Sequence, residues 1–170
     1  ANGSFSPVLM RNATAYGVSP KLRADVVLNN LVCWAFTTRE VRVLSDGMAW
    51  RPLVHTEDIA RAFEIALTVP RDAIHNQAFN VGATSENYRV RRLAEIVKET
   101  VPGCKVTYAE GGGADQRSYR VDFGKLAKWL PTFKPRWDAR LGARQLYSTF
   151  ERKGLSLEDF QGRRYVRLEQ

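Results

Sequence analysis

Histidine and arginine carry most of the chemistry available to this sequence. His55 and His75 are its two histidines, the side chains that titrate near neutrality without help. His55 follows a short apolar run and precedes Thr56-Glu57-Asp58, a place for a packed or hydrogen-bonded strand-end histidine. His75 falls in a loop and is expected in solvent. Cys33 and Cys104 lie far apart in apolar surroundings. That spacing fits neither a zinc site nor a disulfide framework, and it points to a reducing, cytoplasmic compartment. No Gly-x-Ser-x-Gly elbow and no phosphate-cradling loop of the nucleotide hydrolases occurs. The run Gly111–Gly113 follows a strand pattern but lacks the spacing of a dinucleotide-binding turn. No catalytic residue and no metal site is expected; the inventory suits binding.

Lysine and arginine total 26 against 18 acidic residues, a net charge of +8, and 19 of the 26 are arginine. Guanidinium forks favour two-point contacts with phosphates and carboxylates. The ligands to weigh are therefore nucleic acid, an anionic small molecule or an acidic partner. The arginines are spread along the chain. Only Arg89–Arg92 and Arg163–Arg167 are dense, and neither carries the interleaved aromatics of a single-strand-binding platform. Nucleic acid is not the expected partner.

These side chains need a scaffold. A chain of 170 residues, 44% hydrophobic, buries one ordinary core, so a single domain over 1–170 is expected, with a polar tail from 155 to 170. No apolar run approaches the roughly 18–20 residues that cross a bilayer, so no membrane association is expected. Four Trp, six Tyr and eight Phe are too much aromatic surface for a disordered chain. The pattern predicts strands at 6–14, 41–44, 51–54, 77–81 and 105–108. It predicts helices at 22–36, from Thr56 (as cap) to about Val69, and at 90–101, 122–130 and 138–153, the last ended by Gly154. Asp46-Gly47 turns the chain between two of the strands. Alternating strands and helices imply an α/β fold. The chain opens without Met and without a secretory leader, and an upstream part is expected to be absent.

Several motifs then occur in a fixed order. Met10-Arg11-Asn12-Ala13-Thr14-Ala15-Tyr16-Gly17 resembles the Leu-Arg-x-x-Asn-x-Tyr-Gly strand-turn of the extended short-chain dehydrogenase/reductases, which include the NAD-dependent nucleotide-sugar epimerases and dehydratases. Leu44 to Ala60 is similar to that family's "Gly-Asp-Gly…Arg-Asp-Tyr-Ile-His-Val-x-Asp-Leu-Ala" block, and Gln77 to Gly82 to its "Tyr-Asn-Ile-Gly" strand. Asp115-x-Arg117, Asp122-x-x-Lys125 and Leu130 to Pro135 resemble its "Asp-x-Arg…Asp-x-x-Lys…Leu-Gly-Trp-x-Pro" ending.

The resemblance implies the last strands of a Rossmann-type sheet plus the small substrate-binding lobe, with the N-terminal dinucleotide-binding unit missing. It implies a dimer or a partner chain covering the exposed sheet edge. The family's Tyr-x-x-x-Lys pair occurs nowhere here: Tyr16, Tyr88 and Tyr119 are followed at that spacing by Pro20, Arg92 and Phe123. By the same resemblance Asn12 and Ala13 sit beside the nicotinamide of NAD in an intact protein. Thr14 and Tyr16 touch the sugar, and Arg51 and Arg117 hold the diphosphate of a nucleotide-sugar. Thr14 stands where the family usually has Asn, which weakens the expectation of the usual sugar contact. His55, Glu57 and Asp58 are expected to be structural. The implied activity is transient hydride removal from a sugar by NAD, which this chain alone lacks the parts to perform. The alternative is a free-standing protein that has lost redox chemistry and serves as a binding module or a non-redox enzyme.

Overall fold

The computed structural model describes residues 4–109, 113, 115, 117–162 and 165. Gly111, Gly112 and the arginines of the 163–167 stretch lie outside them.

Three helices form the main core. α1 (Val27–Thr38) buries Leu28, Leu31, Val32 and Ala35, the spacing of one helical face. That face meets Leu93, Ala94, Ile96 and Val97 of α4 (Val90–Thr100) and Ala139, Ala143, Leu146 and Phe150 of α6 (Ala139–Lys153). α6 is capped at both ends: Asp138 accepts from the Leu141 N–H at 2.7 Å, and Gly154 closes it in the left-handed conformation at φ 73°.

The strands make three small sheets. β1 (Val8–Asn12) pairs in parallel with β5 (Gln77–Val81). β2 (Thr14–Tyr16) runs parallel to β4 (Trp50–His55), whose other neighbour is the antiparallel β6 (Asn87–Arg89). β3 (Glu40–Val43) pairs in parallel with β7 (Lys105–Tyr108). Val8, Met10, Phe79 and Val81 point from the first sheet into a second core, filled by Ala62 of α2 (Thr56–Thr68) and Leu126 of α5 (Gly124–Trp129). A short α3 (Arg71–Ile74) links α2 to β5.

Four local expectations change. The single strand at 6–14 is two strands in different sheets, separated at Ala13, whose N–H donates to the Val81 carbonyl at 3.1 Å. α1 starts at Val27 rather than Leu22. Asn29 and Asn30 donate to the carbonyls of Arg23 and Ala24 at 2.9 and 3.0 Å, and these bonds hold the preceding residues in a turn. Asp46-Gly47 turns the chain, but its carbonyl at Gly47 accepts from the Arg91 N–H, so the turn docks on α4 and β3 does not fold back on β4. The polar tail contains α7 (Leu157–Gln161), opened by a Ser156–Asp159 capping box, with Phe160 packed edge-on against Trp34 at 5.0 Å.

Candidate functional site

A cavity of about 630 Å³ opens where the N-terminus of α1 meets the ends of β2, β3 and β4. Its size is that of a pocket for a small organic ligand. Thr14 lines it from β2, Arg42 and Ser45 from the end of β3, Arg51 from β4, and Asp115, Arg117 and Tyr119 from the segment that crosses its mouth. The fold thus brings together Thr14, Arg51 and Arg117 from positions as far apart as 14 and 117.

Arg51 is held rather than loose. Its guanidinium donates to the carbonyls of Trp50 and Arg117 and pairs with the Asp115 carboxylate, with the side chain largely buried. The Arg117 N–H donates to Asp115 at 2.9 Å; this bond, with the Arg51 and Arg117 guanidiniums nearby, keeps the Asp115 carboxyl below the usual range. The Arg117 guanidinium is 86% exposed and extends into solvent, 3.5 Å from Asp115. The first turn of α1 borders the same space through Val26 and Val27 without any side-chain cap, so its positive end faces the cavity. Three arginines against Asp25 and Asp115 leave the wall with an excess of one positive charge. It can hold an anion and offer hydroxyls to a polar ring; it contains no nucleophile–base pair among the described residues.

Tyr16 does not line the cavity. Its ring is 1% exposed, packed edge-on to His55 at 5.2 Å and against Gly142, and its hydroxyl has no partner among the described residues. Burial pushes its phenol well above the ordinary range. Asn12 and Ala13 stand at the carboxyl end of β1, the side on which open α/β sheets bind nucleotides. Neither reaches the cavity. One exposed carboxamide and one half-buried methyl meet at most an edge of a dinucleotide, so they do not by themselves fit NAD.

His55 ties the sheet to α2 and α6. Its Nδ1 accepts from the Glu57 N–H at 3.1 Å, making His55, not Thr56, the cap of α2. The proton therefore sits on Nε2, which donates to Gln145 Oε1 at 2.9 Å. The ring stacks on Trp137 at 3.9 Å, and burial lowers its pKa. Asp58 accepts three bonds at 3.0 Å from the N–H groups of Arg136 and Trp137, and Glu57 accepts from the Trp137 indole at 3.1 Å. All three hold backbone or scaffold.

Asp25, Asn30, Arg42 and Tyr119 also line the wall and lie outside the motifs; Ser45 lines it from within the Leu44–Ala60 block, where nothing marked it as a wall residue. A helix started at Leu22 hides the open first turn at Val26 and Val27; only the paired asparagines at 29 and 30 signal the later start.

Residues 1–82 match the NAD dependent epimerase/dehydratase family. The family-matching region ends just after β5, and it contains Thr14 and Arg51. Among solved structures, the UDP-glucose 4-epimerase of Thermotoga maritima is 20% identical with a TM-score of 0.69, over 86% of this chain and 46% of that one. An epimerase of Methanothermobacter thermautotrophicus is 22% identical with a TM-score of 0.73, over 89% and 45%. MoeE5, solved with UDP-glucuronic acid and NAD, is 26% identical with a TM-score of 0.64, over 86% and 47%. The chain spans about half the length of these proteins, and its fold is the α/β, Rossmann-like fold of that half.

Proposed function

We propose that this chain is the nucleotide-sugar-binding part of an NAD-dependent epimerase/dehydratase. The observation that carries the reading is the cavity itself, which gathers Thr14, Arg51 and Arg117 beside the open N-terminus of α1. In this reading the diphosphate lies against Arg51 and the first turn of α1, where charge-assisted bonds and the helix dipole act together. Arg117 swings from solvent onto the same group. Thr14 offers its hydroxyl to the sugar, while Tyr16 packs in the core against His55 and Gly142. Asn12 and Ala13 belong to the edge of an NAD site completed by residues other than these. NAD supplies hydride acceptance when bound; this chain supplies orientation of the sugar. The location that fits is the cytoplasm, with Cys33 and Cys104 both free and buried.

Calorimetry tests it. UDP-glucose or dTDP-glucose binds the chain, and Arg51→Ala weakens that binding about tenfold or more, the loss expected for a bond to a charged group. Equal affinity of the two proteins removes Arg51 from the site.

A further inference from the structure

Trp50 and Arg51 are neighbours on β4, and strand alternation sends their side chains to opposite faces. Arg51 enters the cavity. On the other face two arginines gather on Trp50, and a third, Arg91, lies beside them over Tyr108. The guanidinium carbons of Arg120 and Arg89 lie 4.7 and 5.2 Å from the indole centroid. Arg89 and Arg91 each point an Nη1 at the Met48 sulfur from 3.7 Å, and Arg91 lies over Tyr108 at 5.5 Å. Beyond Tyr88, which precedes Arg89 in the chain, the aromatic partners of these arginines come from β4 and β7.

All three arginines are exposed, and none has a carboxylate partner among the described residues. Arg23, Arg51, Arg61, Arg92, Arg117 and Arg140 each have one. Two guanidiniums sharing one indole are within roughly 10 Å of each other, about a Debye length at 0.1 M salt, so they repel. No described carboxylate forms an ion pair with any of the three.

We propose that this face binds an acidic segment of a partner protein. Arginine, tryptophan, tyrosine and methionine are the residue types enriched where proteins meet, and no lysine joins the cluster. A guanidinium laid on a ring keeps its N–H edge for a carboxylate, and the stack holds it in place at little further entropic cost. Carboxylates on alternate residues of an extended peptide are spaced about 6.4–6.8 Å apart, within the roughly 10 Å that bounds the two guanidiniums on Trp50. Nucleic acid fits less well. Strong phosphate-backbone binding draws on about 6–10 contacts, and the Trp50 ring that a base would stack on already holds two guanidiniums.

Fluorescence anisotropy of a labelled ten-residue peptide alternating Glu and Gly, titrated with the whole chain, tests the proposal. Saturable binding that weakens with salt is expected, and the Arg89→Glu/Arg120→Glu variant weakens it at least about tenfold. Should that variant lose its circular-dichroism signature, Arg91→Gln, on the exposed side of α4, provides the same comparison with a severalfold loss. The proposal is overturned if the peptide does not bind, if the folded variants bind it as the parent does, or if a labelled thymidine decanucleotide binds more tightly and shows the same arginine dependence.

Discussion

Glu86 is the side chain whose surroundings are least suited to its charge. It is buried beside β6, both carboxylate oxygens lie 3.1 Å from the Tyr88 hydroxyl, and Asp138 adds a like charge nearby. Burial, above all, pushes its pKa from 4.5 up to about 7. The folded chain therefore binds more protons than the unfolded chain between pH 4.5 and about 7. Its contribution to stability is whole below that window and is lost as pH rises through it. Glu86→Gln keeps an acceptor for Tyr88 and removes the charge. The variant is expected to melt a few degrees higher than the parent at pH 8, at about 2–4 °C per kcal/mol, and to gain nothing at pH 4. Equal melting at pH 8 would show that the folded protein carries this carboxylate at no cost. His55 acts in the other direction. Its depressed pKa makes a contribution that is present above pH 6.5 and lost as pH falls.

At the scale of elements, α6 presses on β2 through a missing side chain. A Cβ at Gly142 would sit 2.2 Å from the Tyr16 ring. Alanine is the better helix former by about 1 kcal/mol, yet overpacking of a core costs about 1–3 kcal/mol. Gly142→Ala is expected to lower the denaturant midpoint with an unchanged slope; a higher midpoint would mean that Tyr16 moves aside freely. Glycine in mid-helix was visible in the sequence, but the partner requiring it, 126 positions away, was not. The same holds for the site. The motifs singled out Thr14, Arg51 and Arg117, and the fold gathers these three around one cavity. Tyr16 was misplaced because a motif gives a residue's neighbours in the chain and not which way its ring turns. The first turn of α1 was missed because Leu22 extends the apolar spacing backwards, while two asparagine side chains decide where the helix begins. Most strands followed from the apolar pattern, but the three-residue β6 at Asn87–Arg89 did not. Strand partners did not, since β3 finds β7 across more than sixty residues and an Asp-Gly turn suggests the neighbouring strand instead.

For the whole molecule, the open question is what covers its apolar surface. β1 pairs only with β5 among the described residues, and Leu9, Phe63 and Leu67 are exposed around that sheet and α2. An edge and face of this kind invite association. We propose that a second chain covers them. Sedimentation equilibrium should return a mass above the 19.3 kDa of one chain, and Phe63→Glu/Leu67→Glu should return it to that value; a monomer at every concentration would assign the surface no such role. The central claim is that this polypeptide holds a sugar nucleotide and leaves hydride transfer to residues beyond it. Separate calorimetric titrations of UDP-glucose and NAD into the purified chain, with turnover assayed in the same samples, test it most directly. Saturable one-to-one heat with the sugar nucleotide and none with NAD is the predicted result. Stoichiometric NAD binding with conversion of the sugar by these residues alone would contradict it.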